Sequence, residues 1–210
     1  MIAGPNGSGK STIINSLSSH FNTGIYLNAD DIEKEFKEKG YIELNLYGLK
    51  EIENNQFNSF IKNHTLTYKA LNTNFNVDLQ LSSNMVKNIG EMNSYKASIL
   101  VDFIRTILIE TGQKITFETV MSHNSKIEVL KLANTLGYKS YLYFVGTDSE
   151  EININRVEER TKKGGHFVSA DKIKSRYHSS MGLLKNAVKN TYRTFIFDRA
   201  RYFVLANISN

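Results

Sequence analysis

The sequence has no cysteine in its 210 residues, so disulfide bonds, thiolate metal sites and cysteine nucleophiles are excluded. This composition is typical of a protein from a reducing compartment. The sequence also lacks a signal peptide and any run of about 18 apolar residues, which a membrane-spanning helix would need. We therefore expect a cytoplasmic protein that does not bind a membrane.

A long basic block is missing too, although Lys and Arg outnumber Asp and Glu and the formal net charge is +5. Because the basic residues are dispersed, a nucleotide together with a phosphorylated or acidic substrate accounts for the excess. Nucleic acid is not required as a ligand. The length suits one α/β domain with a substantial core, and we expect residues 1–210 to form that domain.

The clearest motif is GPNGSGKS at residues 4–11, which matches the P-loop pattern G-x-x-x-x-G-K-[ST]. Its glycines let backbone N–H groups surround a phosphate chain, and the next helix directs its positive end at the anion. Lys10 is expected to reach the β- and γ-phosphates, and Ser11 to bind Mg²⁺. The alternative is a glycine-rich turn before an ordinary helix. The predicted nucleotide-binding residues are Gly4, Pro5, Asn6, Gly7, Ser8, Gly9, Lys10, Ser11 and Thr12.

Strands alternate with helices along most of the chain, which indicates a parallel sheet with crossover helices. Only residues 1–3 precede the P-loop, so we expect a shortened central strand and a weakened sheet centre, which a longer natural N-terminus would explain. Residues 41–93 break the alternation and are predicted to form an inserted subdomain, mainly helical or mixed. Elsewhere we predict strands at 24–29, 114–120, 138–145, 193–197 and 202–206, and helices at 94–110, 125–136 and 170–189.

Two aspartates follow the predicted strand at 24–29, and the first of them, Asp30, lies twenty residues after Lys10. The carboxyl ends of neighbouring strands converge on one crevice in an open α/β sheet, so a carboxylate here can face the γ-phosphate. In that position Asp30 would accept the proton of an attacking hydroxyl. Capping of the next helix is the alternative role, and we assign it to Asp31.

Glu118 interrupts a strand that is otherwise apolar or rich in threonine. A carboxylate at the carboxyl end of a parallel strand costs free energy unless it is paired or functional. We predict that Glu118 binds a substrate hydroxyl or reaches Mg²⁺ through water, with Thr119 beside it. A salt bridge at the edge of the sheet is the alternative.

Arg156 and Arg160 lie four positions apart on one predicted helix, and Arg176 follows a Gly-Gly break. A mobile basic segment beside such a hinge suits a lid that clamps the transferring phosphate and excludes water. We therefore predict a lid at residues 156–176, in which His166 contacts substrate. In the alternative, the arginines are solvated partners of neighbouring glutamates and His166 has no ligand.

Four motifs in this order, GPNGSGKS, LNADDI, TFETVMS and RVEERTKKGGHFV, resemble those of the zeta-toxin group of P-loop kinases. The likeness is strongest to a branch of small uncharacterised bacterial ATPases with an R-V-x-x-R…G-G-H…R-Y signature. It covers residues 1–35 and 95–200 and leaves out 41–93. The resemblance implies a shikimate-kinase-like α/β fold, in which a parallel five-stranded sheet of order 2-3-1-4-5 is flanked by helices.

The resemblance also implies phosphoryl transfer from ATP or GTP, with Mg²⁺, to a hydroxyl of a UDP-amino sugar, usually UDP-N-acetylglucosamine. An antitoxin protein is the partner that it implies. Glu118 and Thr119 match the substrate-side Glu-x-Thr region of the group, shortened here to Glu-Thr. The catalytic residues that it implies are Asp30 as base, Lys10, and the lid arginines Arg160 and Arg176.

Two departures weaken the sugar assignment more than the kinase assignment. Asn28 stands where the toxins often have a further acidic residue, and the insertion at 41–93 is able to reshape the substrate site. Other functions stay open: a polynucleotide or other small-molecule P-loop kinase, a non-catalytic ATP-binding regulatory module, or a degenerate protein with a truncated first strand. A polynucleotide kinase needs a basic groove, which the dispersed charge disfavours.

Overall fold

The computed structural model describes residues 1–198 and 201–206. The chain forms two compact units. One combines Met1–Thr23 with the chain from Thr116 onward, and the other is Gly24–Ile115. The insertion predicted at 41–93 lies inside the second unit. The expectation of one domain over residues 1–210 stays a prediction.

Nine strands and eight α-helices occur in the described residues, together with a 3₁₀ turn at Leu44–Tyr47. The strands are β1 (Ile2–Ala3), β2 (Ile25–Leu27), β3 (Tyr41–Glu43), β4 (Leu79–Ser82), β5 (Met85–Asn88), β6 (Ile115–Thr119), β7 (Tyr141–Val145), β8 (Arg193–Asp198) and β9 (Arg201–Ala206). The helices are α1 (Lys10–His20), α2 (Ala29–Lys39), α3 (Asn54–Asn63), α4 (Thr65–Leu71), α5 (Ser94–Glu110), α6 (Ser125–Thr135), α7 (Glu150–Lys162) and α8 (Ala170–Lys189).

The main sheet has the strand order β2-β6-β1-β7-β8-β9. β1 pairs in parallel with β6 and with β7, and β7 pairs in parallel with β8. The five parallel strands thus follow the predicted order 2-3-1-4-5, and the predicted α/β fold is confirmed. β9 adds a sixth strand, antiparallel to β8, at the position where a last strand is predicted.

The central strand β1 is as short as the sequence predicts, with only two residues. Ile2 and Ala3 are nevertheless fully buried. Ile2 lies opposite Glu118 on one side and Tyr143 on the other, so β1 is paired along both edges. Because the P-loop begins directly after β1, this pairing places the start of the loop beside the carboxyl end of β6.

Helix α5 begins and ends where the sequence predicts, at Ser94 and Glu110. Its start is fixed by Asn93, whose side-chain oxygen accepts hydrogen bonds from the backbone N–H groups of Tyr95 (3.0 Å) and Lys96 (3.1 Å). An asparagine at this position satisfies donors that the helix itself leaves without acceptors. In the described part of the chain, no helix is both long enough and apolar enough to span a membrane.

Replacing Asn93 with alanine is expected to lower the free energy of unfolding by about 1 kcal/mol, because it removes an N-cap acceptor. The apolar face of α5 is left unchanged. Urea denaturation followed by circular dichroism measures the loss. Asn93→Ser retains a capping oxygen and is the matched control, so equal losses in both variants would contradict the capping role.

The second unit is more mixed than the mainly helical insertion that the sequence favours. Besides α3 and α4, it contains a three-stranded antiparallel sheet of order β3-β5-β4. The turn between β4 and β5 is Ser83-Asn84, and both residues have positive φ, 49° and 60°. Two such residues form the tight turn that suits the twist of a β-hairpin. Leu79 and Leu81 of β4 face inward and Gln80 faces solvent, the alternation of a half-buried strand.

Candidate nucleotide-binding site

The P-loop connects β1 to α1 and depends on glycine at its first position. Gly4 has φ 145°, and a Cβ there would lie 2.2 Å from the carbonyl oxygen of Val145. Any other residue would collide with the neighbouring strand. Helix α1 begins at Lys10, and its N-cap residue, Gly9, has no side chain that could accept a hydrogen bond from the first N–H groups. No N-cap side chain therefore competes with an anion for these N–H groups, as is usual where the N-terminus of a helix binds phosphate.

Lys10 is a buried cation, with 7% of its surface exposed. Its Nζ donates to the carbonyl oxygens of Gly4 and Pro5, both at 3.0 Å. The carboxylate oxygen Oε1 of Glu118 lies 3.9 Å from the same Nζ, and the Glu118 side chain is largely buried. The structure thus brings Glu118 to the P-loop lysine, two residues that are 108 positions apart in the chain. This is an ion pair inside the site and not at the edge of the sheet.

The loop fits a phosphate chain with an associated Mg²⁺. Ser8 is buried, and its hydroxyl has no hydrogen-bond partner among the described residues, so one polar group of the loop is left for a ligand. Ser11 and Thr12 are exposed in the first turn of α1, where Ser11 would hold the metal. The described residues contain no cluster of three or more His, Cys, Asp or Glu suited to a metal. Phosphate oxygens and water would complete the coordination of Mg²⁺, as is usual for this ion.

Two of the three arginines in the segment predicted as a lid contact the P-loop. Arg156 Nη1 donates to the carbonyl oxygen of Gly7 at 3.2 Å, and Arg176 Nη1 lies 3.4 Å from Asn6 Oδ1. Arg160 is exposed, and its Nη2 donates to the carbonyl oxygen of His166 at 3.2 Å. The described contact of Arg160 is therefore with the turn of the lid and not with the loop. The His166 side chain is exposed.

Helices α7 and α8, which contain most of the segment predicted as a lid, share a small apolar core. Val157 of α7, Val168 of the loop before α8, and Ile173 of α8 are buried together, and Ile154 packs against them. This core fixes α7 and α8 as a pair around the Gly164-Gly165 turn. The residues predicted as a lid belong to the first unit, and their role as a lid stays a prediction.

Two buried polar residues of the first unit, Asn153 and Thr147, were not singled out from the sequence. Asn153 is fully buried and its Nδ2 donates to the carbonyl oxygen of Asn6 at 2.7 Å. Thr147 donates its hydroxyl to Asn153 Oδ1, and Tyr177 OH donates to the Thr147 carbonyl oxygen at 2.8 Å. Asparagine is frequent in this chain, so Asn153 carries no sequence signal that distinguishes it. Only its complete burial on α7 does.

Thr119 has a structural contact in addition to its predicted role toward substrate. Its Oγ1 accepts a hydrogen bond from the backbone N–H of Met121 at 3.1 Å. Met121 has φ 56°, in the left-handed region that a residue with this side chain rarely adopts. The bond holds the chain in a tight turn immediately after β6, beyond Glu118.

Asp30 lies in the second unit, in the first turn of α2, and its side chain is exposed. The N-cap of α2 is Asn28, whose Oδ1 accepts from the Asp30 N–H at 3.0 Å. The capping role predicted for Asp31 is therefore wrong, because Asn28 has the extended backbone that lets a short side chain reach back to the helix. Partial burial, followed by the neighbouring Asp30 charge, raises the pKa of Asp31, and Lys34 opposes this.

Comparison with known proteins assigns the family. The model of the Zeta toxin family matches residues 78–210, which is more than half of the chain. The protein belongs to the Zeta toxin family. The matched part contains Glu118 and the three arginines of the lid, whereas the P-loop and Asp30 precede it.

Two known proteins resemble this Zeta toxin family member over part of their own length. An uncharacterized protein of Haemophilus influenzae is 40% identical over 60 residues, 29% of this chain and 43% of that protein. The match thus spans less than half of the relative's length. A solved structure from the PezAT chromosomal toxin–antitoxin system of Streptococcus pneumoniae superposes with a TM-score of 0.51. It covers 97% of this chain and 69% of that chain at 14% identity, which supports the fold alone.

Proposed function

We propose that the protein is an ATP- or GTP-dependent phosphotransferase that phosphorylates a hydroxyl of a small substrate. A UDP-amino sugar such as UDP-N-acetylglucosamine is the substrate that we favour. The observation that carries the proposal is the ammonium of Lys10, buried beside the carboxylate of Glu118 in a loop that two lid arginines also contact. Catalysis of phosphoryl transfer needs such fixed positive charge more than covalent chemistry.

On this proposal the first unit binds the donor. The amides of residues 4–9 and Lys10 would bind the phosphates, while Ser11 would hold Mg²⁺. When bound, the metal supplies positive charge that offsets the charge of the phosphates. Arg160 and Arg176 would stabilise the transferring phosphoryl group, and the contact of Arg156 with Gly7 suggests a third arginine in this part of the site.

Asp30 would accept the proton of the acceptor hydroxyl while that oxygen attacks the γ-phosphorus. The bond from the γ-phosphorus to the bridging oxygen of the donor breaks, and the nucleoside diphosphate leaves. Glu118, Thr119 and His166 would contact the acceptor. Glu118 is supported by its place beside Lys10, while the exposed His166 has the least support.

We further propose an antitoxin protein as a partner and the cytoplasm as the location. The solved structure that superposes on this chain comes from the PezAT toxin–antitoxin system. The excess of basic residues would suit an acidic partner surface as well as a phosphorylated substrate.

The experiment that tests the proposal incubates the protein with Mg²⁺ and ATP labelled at the γ-phosphate, together with UDP-sugars and oligonucleotides. Label on a UDP-amino sugar is the expected result. Label on an oligonucleotide would replace the sugar by a nucleic-acid end. ATP binding without transfer to any acceptor would support a regulatory module, and the absence of ATP binding would contradict the proposal.

The lid arginines make a separate prediction. Arg176→Ala and Arg160→Ala are each expected to lower kcat by about 10²–10³-fold, because each removes a positive charge that would stabilise the transferring phosphoryl group. Steady-state kinetics with saturating nucleotide measure the loss. Lys162→Ala removes an exposed charge from the same lid and is the matched control. If Arg160→Ala behaves like Lys162→Ala, Arg160 only holds the turn through the His166 carbonyl, and its catalytic assignment is wrong.

A further inference from the structure

We infer that Asn153 is a positioning residue that orients the backbone of the P-loop for phosphate. The inference deepens the proposed function, on which its nucleotide-binding readout rests. Asn153 is on the first turns of α7, and none of its surface is exposed. A buried amide must satisfy both of its ends, and here each end has a different partner.

The two partners fix which way the Asn153 amide points. The carbonyl oxygen of Asn6 can only accept, so the amide nitrogen must face the P-loop, and Thr147 donates its hydroxyl proton to Oδ1 at the other end. Nδ2 then donates to the carbonyl oxygen of Asn6 at 2.7 Å, across 147 positions of the chain. Without the hydroxyl of Thr147, the buried Oδ1 would lose its hydrogen-bond donor, which costs free energy.

The bond to Asn6 determines where the next N–H group points. In a trans peptide the C=O and N–H groups point in opposite directions. Because the Asn6 carbonyl is directed at α7, the N–H of Gly7 in the same peptide is directed away from α7 and toward the side on which an anion would bind. Arg156 draws the Gly7 carbonyl toward α7 in the same way, at 3.2 Å. A carbonyl turned the other way would repel phosphate.

Close packing makes this contact specific to the residues present. Gly7 has φ 76°, and a Cβ there would lie 2.8 Å from the backbone carbonyl oxygen of Asn153. The loop therefore lies directly against α7, without room for a water between the backbones. The chain of hydrogen bonds continues to α8, since Tyr177 OH donates to the Thr147 carbonyl oxygen.

The test uses the full chain and two isosteric substitutions. Asn153→Asp keeps the acceptor for Thr147 but replaces the donor to Asn6 by an oxygen. Thr147→Val removes the hydroxyl that satisfies Oδ1, without adding charge and without touching the loop. We expect the Kd for ATP with Mg²⁺, measured by calorimetry, to rise about tenfold or more in both variants, the usual effect of an unsatisfied buried group.

Two controls separate positioning from general stability. Thr147→Ser restores the hydroxyl and should return the Kd to near the wild-type value. Thr194→Val removes a buried hydroxyl that is paired with Thr191 at 2.8 Å, and it should lower Tm without changing the Kd. If Asn153→Asp and Thr147→Val lower Tm while the Kd stays within about twofold of wild type, the inference is overturned.

A readout that does not depend on nucleotide keeps the inference apart from the proposed function. If wild-type protein binds no ATP, the proposed function fails, and the N–H resonance of Gly7 in the NMR spectrum of the free protein still decides the inference. A shift of this resonance in Asn153→Asp, absent in Thr194→Val, supports the positioning role. An unchanged resonance contradicts it.

Discussion

Lys10→Ala is expected to lower the rate of phosphoryl transfer by about 10²–10³-fold, because the main fixed positive charge of the P-loop is lost. The buried ammonium contacts two loop carbonyls and lies close to Glu118, so its removal also leaves that carboxylate beside an incoming phosphate. Like charges at this distance would weaken nucleotide binding. Initial rates with γ-labelled ATP and the Kd for ATP measure the two effects separately.

Two control variants distinguish the loss of the Lys10 charge from a loss of folded protein. Lys10→Met keeps most of the volume of the side chain and should be as inactive as Lys10→Ala. Lys131→Ala removes an exposed lysine that pairs with Glu128 at the surface of α6, and its rate should equal that of wild type. A folded Lys10→Ala protein with a rate within about tenfold of wild type would contradict the role of this residue.

Asp30→Asn is expected to lower the rate of phosphoryl transfer by about 10²-fold or more, while ATP binding is retained. The substitution removes the proposed base and leaves the volume of the side chain almost unchanged. Helix α2 should be unaffected, because its cap is the bond from the Asp30 backbone N–H to Asn28, which does not involve the Asp30 carboxylate. Transfer rates and calorimetric ATP binding, measured on the same samples, distinguish loss of the base from loss of the donor.

The neighbouring aspartate provides the matched control. Asp31→Asn changes the same charge one position away on the same helical turn, and it should leave the rate close to that of wild type. A normal rate in Asp30→Asn would remove the assignment of the base. If Asp31→Asn instead gives the larger loss, the proton acceptor is Asp31. Its pKa is raised above the ordinary value by partial burial and by the neighbouring charge of Asp30.

Local signals in the sequence are sufficient for much of the fold. Helices α5 and α8 begin and end where their apolar periodicity and flanking residues predict, and the alternation of strands and helices predicts a parallel sheet. The order of its strands was implied only by the resemblance to the zeta-toxin group. The P-loop is equally clear because all of its essential residues are contiguous. In each case the information lies within about 20 residues of chain, the range over which periodicity operates.

Contacts between distant parts of the chain were harder to predict from the sequence. Arg156 and Arg160 share a helical face, so spacing alone treats them alike, whereas their partners are Gly7 and the His166 carbonyl. Strands β4 and β5 have four residues each, too few for a clear period, and the Ser83-Asn84 turn lacks the glycine of the strongest hairpin signals. Which residues meet across the fold is a property of tertiary packing, and a single sequence does not contain that pattern in readable form.

Asn153 and Arg156 are one helical turn apart on α7, and they hold two successive carbonyls, those of Asn6 and Gly7. A displacement of α7 that breaks both bonds would free two adjacent peptide planes to rotate. The packing of α7 against the loop is therefore thermodynamically linked to the affinity of the loop for an anion. The linkage is reciprocal. An anion that stabilises the oriented peptides also stabilises the docked helix, so that ordering at one end of the lid is transmitted through two hydrogen bonds.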